Sequence, residues 1–161
     1  MTLEALLVAW AAKYDVETVL ERIVGRGTSV CDPLATRGKR VVVVRDDANV
    51  ETAAFDLVVV HGDEPTTSDW RTWLAAIGKR AAKLVVVEAP NPRQPSRIAR
   101  WMGATSGAGS WGATSSLAPV LWEIGRVREH AVLDTAARHA FVIDVTPRTP
   151  QARRKVRLGL A

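Results

Sequence analysis

The sequence predicts an α/β fold, a three-layer sandwich with helices on both faces of a mostly parallel sheet. Apolar runs rich in valine occur at residues 40–44, 55–62 and 83–92. Continuous runs of this kind are typical of strands that are covered on both faces. A helical pattern of apolar residues lies between the second and third runs. A strand, a helix and a strand within about 35 residues form the βαβ unit of a parallel sheet.

Length and composition favour one globular domain. The chain has 161 residues, of which 47% are hydrophobic and 24% are charged, enough for a single sizeable core. No apolar stretch approaches the roughly 18 residues of a membrane span, and the N-terminus lacks the basic segment of a signal peptide. The single cysteine, Cys31, excludes an internal disulfide. Together these features predict a cytoplasmic protein.

The first forty residues predict a helix, a strand and a turn. Residues 2–13 have apolar side chains at helical spacing, with Thr2 as a candidate N-cap. Residues 17–24 favour a first strand, although Glu21 and Arg22 interrupt its apolar run. Residues 25–38 then predict a turn and a short helix.

The link between the first two valine-rich runs is short. The run at 40–44 ends at Arg45, Asp46 and Asp47, and only seven residues separate Asp47 from Phe55. Seven helical residues rise only about 10 Å, so a crossover helix does not fit. An extended link can return to a strand two positions away, because it reaches about 26 Å. The sequence therefore predicts a direct link at this point, without the additional helix and strand that a larger sheet of this kind would have between the two runs.

The second half predicts three helices and two strands. Residues 68–82 form the helix of the βαβ unit, before the strand at 83–92, and 95–102 also favour a helix. A loop rich in glycine and serine spans 103–116. A further amphipathic helix is predicted from its apolar positions, Leu117, Val120, Leu121, Ile124 and Val127. Residues 139–147 alternate in polarity, which predicts a last strand at the edge of the sheet, possibly antiparallel.

The excess positive charge of the chain, +5 in total, lies in its last residues. Five basic residues and no acids follow Asp144, so the rest of the chain is balanced. Residues 148–161 are therefore predicted to be a basic tail after a domain that spans 1–147. Such a tail is either solvated or in contact with an acidic partner, nucleic acid or a neighbouring subunit.

Three stretches of the sequence resemble the class I S-adenosylmethionine-dependent methyltransferases. RVVVVRDD at 40–47 resembles the second strand of that family and the acid at its end. FDLVVVHGDEP at 55–65, with the helix and strand that follow it up to residue 92, resembles the fourth strand, helix and fifth strand. The resemblance implies a Rossmann-like domain, reduced relative to the full methyltransferase fold, with S-adenosylmethionine as its cofactor.

The resemblance also implies which residues bind the cofactor. The family has a G-x-G-x-G loop after its first strand, and Gly25 and Gly27 occupy the corresponding turn with only two glycines. Asp46 or Asp47 corresponds to the acid that holds the ribose hydroxyls. His61, at the end of the next strand, is a candidate for cofactor binding and for catalysis as a general base. Its alternative role is that of a hydrogen-bonded histidine at a strand end.

His61, Asp63 and Glu64 lie close enough in sequence to be considered as metal ligands. No further ligands accompany them in the sequence, so no metal site is predicted. Three functions stay open. The first is a methyltransferase acting on an unidentified acceptor. The second is a catalytically inert methyltransferase-like subunit that binds a partner protein or a second copy, and the third is a module for another nucleotide.

Overall fold

The computed structural model describes residues 1–45, 53–63, 69–90, 114–134 and 137–147, without the side chains of 114–116. Asp46, Asp47, the predicted helix at 95–102, most of the 103–116 loop and the basic tail lie outside the described residues. In chain order the elements are α1 (Leu3–Lys13), β1 (Thr18–Val24), α2 (Asp32–Ala35), β2 (Arg40–Arg45), β3 (Phe55–Gly62), α3 (Trp70–Gly78), β4 (Ala81–Pro90), α4 (Thr114–Ile124), β5 (Arg126–Val132) and β6 (Arg138–Asp144).

The strands form one sheet in the order β2-β1-β3-β4-β6-β5. Strands β1 to β4 are parallel, β6 is antiparallel to β4, and β5 is antiparallel to β6. The predicted α/β sandwich with a mostly parallel sheet is thereby confirmed. β2 and β3 lie on opposite sides of β1, so the short link between them steps two positions, as its length predicts.

Two apolar clusters cover the two faces of the sheet. One face packs against α1 and α2, and the other packs against α3 and α4. Alternate valines of β3 and β4 enter each cluster, which explains why their sequence is continuously apolar. Within the part of the chain that the structure describes, no helix is long and apolar enough to cross a membrane.

The predicted helix through Val127 is wrong at its C-terminal end. α4 stops at Ile124, and residues 126–132 form β5 instead. Gly125 permits this change of direction, because a Cβ there would lie 2.6 Å from the backbone oxygen of Asp144. The helix also begins at Thr114, within the segment predicted to be loop.

The predicted edge position of the last strand is also wrong, although its antiparallel direction is confirmed. β6 pairs with β4 on one side and with β5 on the other, and six of its seven residues are buried. β5 is the outer strand in its place. On the opposite side β2 is the outer strand, and its valines are only half-buried or exposed rather than covered on both faces.

Candidate functional site

The carboxyl ends of β1, β2 and β3 lie side by side at one edge of the sheet, here called the carboxyl edge. Ile23 near the end of β1 is paired with Arg45 of β2 on one side and with His61 of β3 on the other. The end of β4 lies at the same edge, because β4 runs parallel to β3. Ligands of open parallel sheets bind outside the carboxyl ends of the strands. The carboxyl edge is therefore the candidate functional site.

The turn after β1 is fastened to the end of β3. Gly25 and Gly62 have φ angles of 64° and 109°, which favour glycine. The amide of Asp63 donates to the oxygen of Val24 at 2.8 Å, and the amide of Arg26 donates to Oδ2 of Asp63 at 2.9 Å. A Cβ on Gly62 would lie 2.3 Å from the oxygen of Val24. The close approach of the two strand ends thus requires the glycine.

The two glycines of the predicted cofactor loop make room for the chain itself. A Cβ on Gly25 would lie 2.5 Å from Oδ2 of Asp63, and one on Gly27 would lie 3.2 Å from Cγ2 of Ile23. The structure therefore places Gly25 and Gly27 at the carboxyl edge. Gly25 lies there beside the carboxylate of Asp63, a contact that the sequence does not predict. Asp63 is exposed, so the turn presents a carboxylate to solvent.

Beside this turn, Glu21 and His61 form a buried pair. Nε2 of His61 lies 2.8 Å from Oε1 of Glu21, and their side chains are 4% and 0% exposed. Glu21 also accepts hydrogen bonds from Oγ of Ser29 and from the amide of Val30, both at 2.6 Å. One carboxylate thus holds the start of α2, the turn after β1 and the end of β3 together.

The hydrogen bonds decide the ionisation of Glu21. Burial raises the pKa of Glu21, but the bonds from His61, Ser29 and the amide of Val30 outweigh burial and lower it below its ordinary value. The neighbouring Cys31 is fully buried, and burial followed by the charge of Glu21 raises the pKa of its thiol. Cys31 is consequently an unreactive side chain of the core.

At the end of β4, a second ion pair lies at the carboxyl edge. Nε and one terminal nitrogen of Arg138 donate to the two carboxylate oxygens of Glu88 at 3.1 and 3.0 Å. The guanidinium of Arg138 also donates to the backbone oxygen of Gly62. This bidentate pair links β6 to the ends of β3 and β4, and it fixes the position of Gly62 from the side opposite to the β1 turn.

Two histidines lie close to this ion pair, on the face of the sheet that packs against α3 and α4. Nε2 of His130 is 2.9 Å from Nδ1 of His139, and Phe141 stacks on His130 with ring centroids 4.5 Å apart. His139 is buried, and its Nε2 has no hydrogen-bond partner among the described residues. Burial first, then the charges of His130 and Arg138, lower the pKa of His139 to about 4.

Metal ligands do not cluster at the carboxyl edge in the part of the chain that the structure describes. No group of three or more histidine, cysteine, aspartate or glutamate side chains there could hold an ion. His61 is engaged by Glu21, Asp63 by the β1 turn, and Glu64 lies outside the described residues. A groove of about 650 Å³ lies elsewhere, between α3 and α4, and is lined by residues such as Arg71, Lys79 and Glu123.

The fold of the chain is that of the S-adenosylmethionine-dependent methyltransferases, in a shortened form. It is similar to magnesium protoporphyrin IX methyltransferase from Synechocystis, solved with bound SAH, with a TM-score of 0.59 and 14% identity over 88% of this chain and 80% of that one. It is also similar to a S-adenosylmethionine-dependent methyltransferase from Clostridium acetobutylicum, with a TM-score of 0.53 and 6% identity over 89% and 91% of the two chains.

A third similar structure is 1,6-didemethyltoxoflavin-N1-methyltransferase from Burkholderia thailandensis, solved with 1,6-didemethyltoxoflavin and S-adenosylhomocysteine. Its TM-score is 0.51, with 16% identity over 89% of this chain and 76% of that one. No protein-family model matches the sequence. No curated protein matches it either. Identities this low establish the fold alone.

Two structural features of the carboxyl edge, the bonds of Glu21 and the contact of Asp63, do not follow from the sequence analysis. In the sequence Glu21 only interrupts the apolar run of β1, whereas in the structure it is a buried acid that takes part in three hydrogen bonds. Asp63 follows His61 at the end of a predicted strand, but the sequence does not predict its contact with the turn after β1. The signal for Glu21 was present, because an acid inside an apolar strand needs buried donors. The signal for Asp63 was absent, since its contact with Arg26 spans 37 residues.

Proposed function

We propose that this protein binds S-adenosylmethionine at the carboxyl edge, beside the turn after β1, and transfers its methyl group to an acceptor. One observation carries the proposal. An exposed carboxylate, that of Asp63, lies against the two-glycine turn of a methyltransferase-like sheet. The cofactor carries two positive charges, on its ammonium group and on its sulfonium, and a nearby carboxylate attracts both. When bound, it supplies an electrophilic methyl carbon.

The chain's own residues have distinct roles in this proposal. Asp63 accepts a hydrogen bond from the ammonium group, and Gly25 and Gly27 keep the turn close to β3. Asp46 or Asp47 is proposed to hold the ribose hydroxyls. His61 as a catalytic base stays a prediction; with its Nε2 on Glu21, its geometry favours a positioning role for the turn.

Isothermal titration with S-adenosylmethionine and with S-adenosylhomocysteine tests this function. We expect heat from the wild type and a dissociation constant about tenfold weaker for Asp63→Asn, because a hydrogen bond to a charged group contributes about 1.5–3 kcal/mol. Asp15→Asn is the matched control: Asp15 is exposed, lies just before β1 at the opposite edge, and has a φ of 49° that asparagine tolerates. Absence of heat from the wild type at millimolar cofactor would end the proposal.

A second candidate function is a catalytically inert subunit that uses the same fold to bind a partner. It is favoured by Asp63, whose carboxylate already fills the space that the missing Cβ of Gly25 leaves. The basic tail at 148–161 is a proposed contact for an acidic partner. A wild type that gives no heat with the cofactor but forms a defined complex or dimer would support this function over methyl transfer.

A further inference from the structure

The peptide group between Gly62 and Asp63 is held at both of its ends. Its N–H belongs to Asp63 and donates to the oxygen of Val24 in β1 at 2.8 Å. Its oxygen belongs to Gly62 and accepts from the guanidinium of Arg138 in β6. A trans peptide group is planar, and its N–H and C=O point in opposite directions. One rigid plane therefore spans the distance from β1 to the side of β4.

Arg138 supplies a donor where the backbone ladder has ended. Within the described residues, the last pair of the ladder between β3 and β4 is Val60 with Val87. Gly62 lies two residues beyond that pair, and its oxygen accepts from the side chain of Arg138 instead of from β4. A hydrogen bond from a charged donor is stronger than the neutral bond of a ladder. The end of β3 is thus held firmly although its pairing with β4 has stopped.

Glu88 orients the guanidinium of Arg138. Nε and a terminal nitrogen of Arg138 donate to the two carboxylate oxygens of Glu88 at 3.1 and 3.0 Å, and the same terminal nitrogen reaches the oxygen of Gly62. The amide of Gly62 donates to Oε2 of Glu88 in a longer contact of 3.4 Å. The side chains of Arg138 and Glu88 are 26% and 14% exposed, so salt screens the pair only weakly. Both backbone groups of Gly62 are consequently held by one ion pair.

The orientation of this peptide group decides where the carboxylate of Asp63 lies. Gly62 has a φ of 109°, and glycine allows a wide range of backbone angles, so its neighbours must restrain it. Asp63 follows directly, and its Oδ2 accepts from the amide of Arg26 in the β1 turn at 2.9 Å. A rotated peptide group would carry that carboxylate away from the turn. Arg138 opposes the rotation through the oxygen of Gly62.

We propose that Arg138 is a positioning residue for cofactor binding, which acts through the peptide group of Gly62 on the carboxylate of Asp63, and that Glu88 orients it. The inference rests on the proposed function, in which this carboxylate receives the ammonium group of S-adenosylmethionine. It adds β6 to the elements that shape the site, although β6 lies outside the stretches of sequence that resemble the methyltransferase family.

Charge and position predict opposite effects of Arg138→Met. Methionine is similar in length to arginine but has neither its charge nor its donors. If charge alone mattered, the loss of a positive charge near the site would strengthen the binding of a cationic cofactor. If the guanidinium positions Asp63, the variant should bind S-adenosylmethionine about tenfold more weakly, because a charge-assisted bond that holds the site is lost.

A double-mutant cycle, measured by isothermal titration, tests whether Arg138 acts through Asp63. We expect Arg138→Met to weaken cofactor binding about tenfold in the wild type but less than about twofold in Asp63→Asn, where the charge that it positions is already gone. Arg126→Met is the matched control, since Arg126 donates to the carboxylate of Asp144 at 2.9 Å at the opposite edge of the sheet. The control should leave the affinity unchanged. Tighter binding by Arg138→Met, or equal weakening in both backgrounds or by the control, contradicts the proposal.

Amide hydrogen exchange followed by NMR tests the positioning without a cofactor. In Arg138→Met we expect the amides of Asp63 and Arg26 to exchange at least about tenfold faster than in the wild type, because their bonds depend on this peptide group. The amide of Phe55, which donates to the oxygen of Arg80 at 2.9 Å at the other end of β3, should change much less. A general loss of stability would accelerate all three amides alike.

The exchange result separates this inference from the proposed function. Equal acceleration of the three amides, or no acceleration at Asp63 and Arg26, overturns the role of Arg138 even if the wild type binds the cofactor. Selective acceleration in a protein that gives no heat with S-adenosylmethionine supports the positioning of Asp63 and contradicts the proposed function alone.

Discussion

Glu21→Gln tests whether one buried carboxylate holds the candidate site together. The carboxylate accepts three hydrogen bonds, from Nε2 of His61 at 2.8 Å and from Ser29 and the amide of Val30 at 2.6 Å. Hydrogen bonds to a charged group exceed neutral ones by about 1 kcal/mol each, so glutamine weakens the three bonds by about 3 kcal/mol. The smaller cost of burying an amide offsets about 1 kcal/mol of this loss. We therefore expect the free energy of unfolding to fall by about 2 kcal/mol.

Urea unfolding at neutral pH measures this difference. Glu17→Gln is the matched control, because Glu17 forms an ion pair with Lys39 at 2.7 Å but its side chain is 61% exposed. A surface pair of this kind contributes about 1 kcal/mol or less. The control should thus lose clearly less stability than Glu21→Gln.

The pH dependence of the difference has a definite sign. The pKa of Glu21 is lower in the folded state than its ordinary value of 4.5. Its contribution to stability is therefore complete above that value and is lost as the pH falls through the folded pKa. The gap between wild type and Glu21→Gln should shrink on acidification below 4.5. A gap that widens, or a loss at neutral pH no greater than that of the control, would refute the reasoning.

Two further predictions follow from backbone geometry and from a buried histidine. Gly62→Ala should unfold the protein or lower its free energy of unfolding by several kcal/mol, because the added Cβ would meet the backbone oxygen of Val24. Gly38 has a φ of 79° but nothing within 4 Å of an added Cβ, so Gly38→Ala should lower the free energy of unfolding by only about 1–2 kcal/mol. Thermal unfolding measures both changes. Because the pKa of His139 is about 4 when folded, the unfolded chain binds more protons below its ordinary value of 6.5. The free energy of unfolding should therefore fall by about 2 kcal/mol between pH 7 and pH 5. His139→Phe should remove most of that fall, whereas His130→Phe, which changes the exposed ring, should retain more of it. An equal dependence of stability on pH in the wild type and both variants would contradict the assignment of the fall to His139.

The βαβ unit formed by β3, α3 and β4 was readable from the sequence because both strands are continuous valine runs with a helical pattern between them. β5 was missed because Val127 fits two patterns, the helical spacing of residues 117–124 and the alternation of 126–132. Only pairing with β6 decides between them, and that pairing is not visible in the local sequence. β2 has the same valine signal as β3, yet it lies at the edge, since composition does not fix a strand's position in a sheet.

The candidate site was predictable at the level of strand ends and not at the level of contacts. Gly25 and His61 were placed correctly at one edge by the rule for parallel sheets. The contact of Asp63 with the amide of Arg26 and the bonds around Glu21 depend on the spacing of β1 and β3 in space. Those distances follow from tertiary packing, which sequence periodicity does not encode.

A crystal structure of the protein with S-adenosylhomocysteine tests the central claim most directly. The account predicts the ligand outside the ends of β1 and β3, with its ammonium nitrogen within about 3.2 Å of a carboxylate oxygen of Asp63. A ligand bound elsewhere on the molecule, or crystals that stay free of it at saturating concentration, would contradict the account.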